Sequence, residues 1–181
     1  MITRFSLRIP HFLSLMFLAA CLLLAGCSEA SNSARKRLYH MGERVEAGAL
    51  VYTVLEAEWQ PQLGEGANAR IPQHQFLMLR VSITNSSIRE ISIPQLRLVG
   101  SRRDSHAELT DGDRVPNWLG MLRSLKPADT IEGRILFDVP REDFQLEVSD
   151  DALDPEQRNV ALIEVPLRFE SGNADLPQRT R

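Results

Sequence analysis

Cysteine is almost absent from this sequence. Its 181 residues include only two, Cys21 and Cys27, and both lie near the N-terminus. The chain after Cys27 therefore has no thiol for nucleophilic catalysis, no cysteine ligand for a metal and no disulfide. A domain formed by that part of the chain must be held together by packing alone, even in a compartment that permits disulfides.

A strong charge of one sign is also missing. The chain carries 21 Lys and Arg side chains against 24 Asp and Glu, a formal net charge of −3. Without residues 1–26, which contain Arg4 and Arg8, the remaining 155 residues would carry −5. Because nucleic-acid binding requires clustered cations, we expect no nucleic acid among the partners. A length of 155 residues is enough for one domain with a substantial core.

The sequence has no apolar run long enough to cross a membrane as a helix. Its N-terminal run, residues 12–24, is 13 residues long, whereas a membrane span needs about 20. Arg4 and Arg8 precede this run, and small residues follow it. A basic region, a short apolar region and small residues before a cleavage point predict a secretory signal peptide over residues 1–26.

The end of the apolar run carries the most specific motif of the chain. Leu24, Ala25, Gly26 and Cys27 resemble the bacterial lipobox, in which the cysteine thiol is diacylated and the new N-terminus is acylated after cleavage. An uncleaved span and a signal peptide cut elsewhere are the alternatives. Two or more acyl chains hold a protein stably on a bilayer. We therefore expect palmitate-type lipidation at Cys27, which makes the membrane the first partner.

The residue after the predicted lipidation site is Ser28. In Gram-negative bacteria an aspartate at that position tends to retain lipoproteins in the inner membrane. Ser28 resembles the residue of lipoproteins that are passed to the outer membrane. We therefore expect an exported protein held by lipid on the periplasmic face of the outer membrane. The outer face of a Gram-positive membrane is the alternative.

Composition divides the rest of the chain into three parts. Residues 27–42 begin with the predicted lipidated cysteine and continue as a small, polar and basic segment, which is typical of a flexible tether. Residues 43–170 contain the alternating patterns of a folded domain. Residues 171–181 are predicted to be a disordered C-terminal tail.

Apolar and polar residues alternate with period two through most of the domain, which predicts half-buried strands. The predicted strands and their inward side chains are residues 50–59 with Val51, Thr53, Leu55, Ala57 and Trp59; residues 76–84 with Leu77, Leu79, Val81 and Ile83; residues 130–139 with Ile131, Gly133, Ile135, Phe137 and Val139; residues 144–149 with Phe144, Leu146 and Val148; and residues 161–169 with Ala161, Ile163, Val165, Leu167 and Phe169.

Three further segments predict local structure between these strands. Pro94 interrupts an alternating segment and predicts an edge or a bend between sheets. Apolar residues at helical spacing within residues 118–125 predict one or two helical turns. Residues 126–129, with proline second, predict a type I turn.

Together these patterns predict an all-β fold. Seven or so short strands, with no helix long enough for a parallel crossover, favour antiparallel pairing. Each strand has one apolar face, so two sheets must pack face to face. The predicted architecture is an immunoglobulin-like antiparallel β-sandwich that follows a lipoprotein signal peptide.

Four segments of the domain carry a family pattern. They are a glycine with a short strand at residues 42–45, a long strand ending in Asn-Ser at residues 76–86, a Leu-Lys-Pro turn at residues 125–127 and a strand ending in Phe-Asp-Val-Pro at residues 133–140. In these segments the chain resembles the bacterial family of exported immunoglobulin-like domains of unknown function, which is related in fold to the mycobacterial immunoprotective secreted antigen. The resemblance covers residues 41–150.

The resemblance implies a sandwich and export, and it transfers no active residue. The chain departs from the family at Ala128, because the family usually has a glycine after the Leu-x-Pro sequence. This departure leaves the turn type open.

Few residues of the domain offer chemistry. His74 and His106 lie in predicted loops and Met78 in a predicted strand. If these three side chains converged, the domain could be a periplasmic carrier of a small ligand or a metal. Their spacing does not match that of periplasmic copper carriers, so we expect no metal site and no other cofactor.

The expected function is therefore binding rather than catalysis. The sequence lacks the Gly-x-Ser-x-Gly and His-Glu-x-x-His motifs of hydrolases. Trp118 is either a core residue or an anchor for a partner. We expect a non-enzymatic binding or assembly-accessory module whose partner is an unknown envelope protein or glycan, with the carrier as the alternative.

Overall fold

The structure, a computed structural model, describes residues 37–167. The predicted signal peptide, the predicted tail at residues 171–181 and Phe169 lie outside this part of the chain. The described residues form eleven strands and a single 3₁₀ turn, Gly66–Asn68. The strands are β1 Leu38–Tyr39, β2 Val45–Ala47, β3 Leu50–Gln60, β4 Gln75–Asn85, β5 Ile91–Ile93, β6 Arg97–Gly100, β7 Ser105–Ala107, β8 Arg123–Leu125, β9 Thr130–Val139, β10 Phe144–Ser149 and β11 Val160–Val165.

The strands form two main sheets that face each other. Sheet I has the order β1-β11-β10-β6-β7, and sheet II has the order β2-β3-β4-β9. A separate pair, β5-β8, lies beside them. Strand β1 runs parallel to β11, and the other pairings among the described strands are antiparallel. The predicted antiparallel β-sandwich is confirmed.

The main hydrophobic cluster fills the space between the two sheets. Alternate side chains of β4, β9, β10 and β11 point into it, as the period-two pattern predicts. Burial of one such side chain is worth about 1.5–3 kcal/mol, which stabilises the sandwich without disulfides. The buried members from these four strands are Leu77, Leu79, Val81, Ile83, Ile135, Phe137, Val139, Phe144, Leu146, Val148, Ala161, Ile163 and Val165.

Strand β3 changes its inward face at a β-bulge. The register between β3 and β4 shifts between Val54 and Glu56. Before the bulge, Tyr52 and Val54 point into the main cluster, and after it Ala57 and Trp59 pack against the same cluster. An extra residue in one strand reverses the side-chain phase beyond it, because that phase has a period of two.

The bulge corrects one sequence prediction. The sequence predicted one uninterrupted alternation along β3, with Val51, Thr53 and Leu55 pointing inward. This prediction is wrong for the first half of the strand. None of these three side chains belongs to the main cluster, whereas the Tyr52 hydroxyl reaches across it to donate to the backbone oxygen of Ser149 on sheet I at 2.7 Å. Burial raises the pKa of the Tyr52 phenol.

The predicted helical turns at residues 118–125 are also wrong. Residues 123–125 form strand β8 and pair with β5, where Leu125 lies opposite Ile91. Leu122 is fully exposed, and Gly120 has a φ of 75°. Pairing with β5 buries Leu125 and overrides the helical spacing. The bend predicted at Pro94 is confirmed, because the chain leaves β5 there and enters sheet I at β6.

The turn at residues 126–129 is not type I. The N–H of Asp129 donates to the oxygen of Lys126 at 3.1 Å, and Ala128 has a φ of 63°. A positive φ at the third position excludes type I and matches type II, in which glycine is preferred. Ala128 therefore adopts the backbone conformation that the glycine usual in the family would adopt without strain.

The domain begins earlier than the predicted boundary at residue 43. Leu38 and Tyr39 form β1 inside the segment predicted to be a flexible tether, residues 27–42. Tyr39 and Met41 pack against the main cluster, so their apolar side chains tie this part of the chain to the domain. Residues 27–36 lie outside the described residues.

The loops lie at two opposite ends of the sandwich. The β10–β11 end consists of the β2–β3 turn and of residues 86–90, 126–129 and 150–159. The β9–β10 end includes residues 101–104 and 140–143. The chain enters from the β10–β11 end, because β1 runs parallel to β11 and the oxygen of Arg37 accepts the N–H of Leu162 at 3.1 Å.

Two loops cover part of the outer face of sheet II. Residues 61–74 and 109–119 lie over it and bury a second hydrophobic cluster. The second loop also shields the free edge of β9, where Leu119 donates to the oxygen of Arg134 at 3.0 Å and Arg134 donates to Asn117 at 2.8 Å. The buried members of the second cluster are Leu63, Phe76, Met78, Val115 and Leu136, with Leu109 and Trp118 packed against them.

Candidate functional site

An open groove of about 550 Å³ lies at the β9–β10 end of sheet I. The β6–β7 turn forms one wall, and the start of β10 and the end of β11 form the rest. Concave surfaces of this size are the usual places for ligands and partner segments. Its lining includes Gly100, Arg103, Asp143, Phe144, Glu164 and Pro166.

The groove has an aromatic side chain among polar groups. Phe144 is buried and belongs to the main cluster, yet it also lines the groove. Glu164 lies 2.7 Å from Nδ1 of His40, and Asp143 accepts the N–H of Leu167 at 2.6 Å. Arg103 adds a cation at the β6–β7 turn. The groove therefore offers hydrogen-bond acceptors, one cation and an apolar ring.

Two carboxylates converge at Gly100 in the groove wall. A Cβ atom at Gly100 would lie 2.5 Å from Asp104 Oδ1 and 2.5 Å from Glu142 Oε1. A side chain at position 100 would therefore displace these two carboxylates. Both of these oxygens are buried and have no hydrogen-bond partner within residues 37–167. Because they are shielded from solvent and neither residue lines the groove, a ligand in the groove would not reach them.

The carboxylate of Asp104 is hydrogen-bonded to the ring of His106. Its Oδ2 lies 2.9 Å from Nε2 of His106, and this hydrogen bond lowers the pKa of the Asp104 carboxyl below its usual range. The ring of His106 meets Phe144 edge-on at 5.8 Å between centroids. His106 thereby links the carboxylate to the aromatic side chain of the groove.

Trp59 lies beside Phe144, which lines the groove. The Trp59 ring is 6.4 Å from the Phe144 ring, and the guanidinium of Arg141 lies 5.9 Å from the Trp59 centroid. Such a cation over an aromatic face is attracted to its negative potential. Trp59 was predicted to lie inward, and it packs against the margin of the main cluster at this end.

The groove lining contains no cysteine, and its one serine, Ser101, has no histidine within hydrogen-bonding distance. Among the described residues, no group of three or more histidine, cysteine, aspartate or glutamate side chains could hold a metal ion. The polar groups of the lining, the carboxylates of Asp143 and Glu164 and the guanidinium of Arg103, are suited to a polar ligand that also contacts the Phe144 ring.

The structure does not bring together the three residues named for a carrier. His74 precedes β4 and lies 3.7 Å from Asp138. Met78 is buried in the second cluster on the outer face of sheet II. His106 lies on β7 of sheet I, where its partners are Asp104 and Phe144.

Trp118 packs within the fold. It is half-buried against the second cluster, and an added Cβ at Gly112 would lie only 1.9 Å from its ring. Glycine at position 112 therefore allows the ring to lie directly on the backbone. The predicted lipidation site Cys27, its lipobox residues Leu24, Ala25 and Gly26, and the sorting residue Ser28 all lie outside the described residues.

A buried ion pair between Glu108 and Arg123 has no signal in the sequence pattern. The side chains of Glu108 and Arg123 are 0% and 1% exposed, and the guanidinium donates to both carboxylate oxygens, with 3.1 Å between Nη1 and Oε2. Glu108 also accepts the N–H of Leu96 at 2.9 Å. These contacts join β8 to the start of sheet I, so the pair serves the fold rather than the groove.

A helix that could span a membrane is not found within residues 37–167.

Comparisons with known proteins identify the fold. The yjhA protein of Bacillus subtilis superposes with a TM-score of 0.55 at 17% identity, over 70% of this chain and 98% of that chain. The ycdA protein, a candidate lipoprotein of the same organism, gives a TM-score of 0.54 at 8% identity over 70% of this chain, which spans only 39% of ycdA. The secreted protein MPT63 of Mycobacterium tuberculosis gives 0.50 at 12% identity, over 74% and 100% of the two chains.

These likenesses show a shared fold. A search of curated proteins found no significant match. Residues 39–158 match the family described as "Domain of unknown function (DUF4352)". This match covers most of the sandwich and well over half of the chain, and the protein therefore belongs to the DUF4352 family.

Proposed function

We propose that this protein is an exported, lipid-anchored envelope protein and that its sandwich is a non-enzymatic binding module. The observation that carries the proposal is the placement of two features at opposite ends. The chain enters the domain at the β10–β11 end, and the groove opens at the β9–β10 end. A lipid at Cys27 would leave the groove pointing away from the bilayer, where a partner can reach it.

The order of the strands supports an immunoglobulin-like module. If β3, β4 and β9 are equated with strands A, B and E, they are neighbours in one sheet, as in immunoglobulin domains. If β6, β10 and β11 are equated with C, F and G, they are neighbours in the other sheet. Modules of this architecture bind through loops clustered at one end of the sandwich.

Export and lipidation are supported by the N-terminal sequence and by the relatives. The lipobox at residues 24–27 follows a signal-peptide pattern. Two proteins of similar fold are named as a candidate lipoprotein and as a secreted protein. Ser28 favours the periplasmic face of an outer membrane, with the outer face of a Gram-positive membrane as the alternative.

The chemistry of the groove favours a polar partner. The carboxylates of Asp143 and Glu164 in the lining would accept hydrogen bonds from hydroxyl or amide groups, and Phe144 would contact an apolar face of the partner. An envelope glycan or a polar segment of an envelope protein has both kinds of group. The proposal involves no reaction and no cofactor.

The anchor is tested by metabolic labelling with a fatty-acid analogue. Cys27→Ser should remove the label and either release the protein or leave the precursor uncut, because a serine hydroxyl does not accept the lipid. Label retained on the serine variant would contradict the anchor. Separation of the two membranes should place the wild type in the outer membrane and Ser28→Asp in the inner membrane.

The binding role is tested by photo-crosslinking in intact cells. A photoreactive amino acid at Ser101 or Gln145, both in the groove lining, should capture a partner. The matched control is Glu58, an exposed residue of β3 on the other sheet. Equal capture at all three positions, or capture at Glu58 alone, would contradict the assignment of the groove.

A further inference from the structure

Two large apolar side chains are exposed to solvent at the β10–β11 end. Ile88, in the β4–β5 loop, is 98% exposed, and Leu153, in the β10–β11 loop, is 95% exposed. Isolated exposed aliphatic residues are common. These two lie on loops that are tied together, because Arg89 makes two hydrogen bonds of 3.0 Å to the carboxylate of Asp151. They therefore belong to one surface.

The chain joins the domain at this same surface. Strand β1 pairs in parallel with β11, and Arg37 lies beside Leu162 near the start of β11. Followed toward the N-terminus, β1 leads to the β10–β11 loop. The described chain therefore enters the domain at the β10–β11 end.

The distance from the anchor is short. The proposed lipidation site, Cys27, is ten residues before Arg37. Ten residues reach at most about 35 Å when fully extended, and a flexible chain of that length spans about 17 Å on average. An anchored domain would therefore spend its time within contact range of the lipid headgroups, with the β10–β11 end foremost.

We propose that the β10–β11 end rests on the bilayer, with Ile88 and Leu153 inserted at the boundary between headgroups and acyl chains. This inference rests on the proposed lipid anchor. Apolar side chains at loop tips gain by leaving water for that boundary, at a depth of about 5–10 Å.

The charges of this end favour an apolar contact over an electrostatic one. Residues 86–90, 126–129 and 150–159 carry three cations, Arg89, Lys126 and Arg158, against six carboxylates, Glu90, Asp129, Asp150, Asp151, Asp154 and Glu156. A surface with an excess of carboxylates is not attracted to anionic lipid. The contact should therefore be no stronger on anionic than on zwitterionic bilayers, and high salt should not weaken it.

The test is depth-dependent fluorescence quenching of the full lipidated chain. Ile88→Cys and Leu153→Cys are labelled with a fluorophore, and Arg102→Cys, an exposed position of the β6–β7 turn, is the control. The domain itself contains no cysteine, so each label is unique. The proteins are reconstituted in vesicles of phosphatidylethanolamine and phosphatidylglycerol that contain lipids brominated on the acyl chains.

Quenching at positions 88 and 153 should exceed that at position 102 by about threefold or more, since only side chains at the boundary reach the bromine atoms. It should not fall at high salt, because salt screens the contacts between charges and leaves an apolar contact intact. Equal quenching at the three positions, or quenching abolished by salt, would overturn the inference.

Mass measurement of the N-terminal peptide keeps the two proposals separate. A lipidated Cys27 with equal quenching overturns the bilayer contact and leaves the anchor intact. An unlipidated Cys27 overturns the proposed anchor and the bilayer contact that rests on it. A lipidated Cys27 with selective quenching at positions 88 and 153 supports both.

Discussion

The two faces of strand β4 bury hydrophobic clusters of different construction. On the inner face, Leu77 and Leu79 join the main cluster between two paired sheets. On the outer face, Phe76 and Met78 join the second cluster, which is roofed by loops. Consecutive side chains of one strand thus enter two clusters, so burial alone does not show which residues hold the sandwich together.

The difference lies in what covers each cluster. The main cluster is closed by strands whose ladders of hydrogen bonds form a cooperative unit. The roof of the second cluster is joined to sheet II by a few backbone hydrogen bonds, such as those from Leu109 to Leu136 at 2.7 Å and from Leu119 to Arg134 at 3.0 Å. Segments with few buried contacts open before the global transition. The second cluster should therefore be the first to open.

The largest effect is expected in the main cluster. Phe137→Ala removes a fully buried ring from β9 and should lower the free energy of unfolding by about 3–5 kcal/mol. Urea unfolding followed by tryptophan fluorescence measures this loss. Glu132→Ala, on the outward face of the same strand, is the control and should change stability by no more than about 0.5–1 kcal/mol, as expected for an exposed ion pair. Equal losses would contradict the phase of β9.

The ion pair at the margin of the main cluster should be almost as costly to break. Arg123→Met leaves Glu108 buried without its cation, which typically costs about 3–5 kcal/mol. Replacing both residues, as Glu108→Gln with Arg123→Met, should recover part of the loss, because no uncompensated charge remains. Thermal unfolding of the three proteins measures both steps. A double variant less stable than Arg123→Met alone would contradict this account.

The second cluster should give a smaller and local effect. Met78→Ala should cost about 2 kcal/mol, near the lower limit for such truncations, because the roofing loops can settle into the space. Limited proteolysis should cut residues 61–74 and 109–119 faster, while hydrogen exchange of β10 and β11 changes little. Leu79→Ala, one residue away on the inner face, is the matched control and should accelerate exchange throughout. Uniform acceleration in both variants would show that the two clusters unfold together.

The smallest effect is expected where the outer face of sheet II is open to water. Arg80 lies 2.7 Å from Glu56, and this hydrogen bond lowers the pKa of the Glu56 carboxyl from its ordinary value of 4.5. A lowered folded-state pKa adds stability above the unfolded-state pKa, and that stability is lost as the pH falls through the folded-state pKa. The melting temperature of the wild type should therefore fall more steeply below pH 4.5 than that of Glu56→Gln. Parallel curves would contradict this contribution.

The inner face of the sandwich was predictable because its signal is local. Alternation alone placed Leu77, Phe137 and Leu146 inward, and each is fully buried. The bulge in β3 has no such local signal. Its extra residue, Leu55, is an ordinary apolar strand residue, and nothing in the sequence marks it as unpaired. The second cluster escaped prediction because Phe76 and Met78 lie on the face that alternation assigns to solvent.

The groove was not predictable for a different reason. Asp104 and Glu142 belong to turns 38 residues apart and meet only because β6 and β10 are neighbours. The helical spacing before residue 125 misled because pairing of β8 with β5 outweighs a weak local preference. His106 was noticed as a possible metal ligand, and its actual contacts depend on residues distant in sequence.

The cover over the free edge of β9 has a consequence for the order in which the chain is delivered. Residues 109–119 precede β9 in the sequence and form backbone hydrogen bonds with Leu136 and Arg134 of β9. Any chain that emerges N-terminus first presents this segment, and the pairing strand β4, before β9 itself. When β9 emerges, the segments that pair with its two edges, β4 and residues 109–119, have already been made. An unpaired strand edge can pair with the edge strand of another chain. This order shortens the time for which the edge of β9 is open to pairing with another newly made copy.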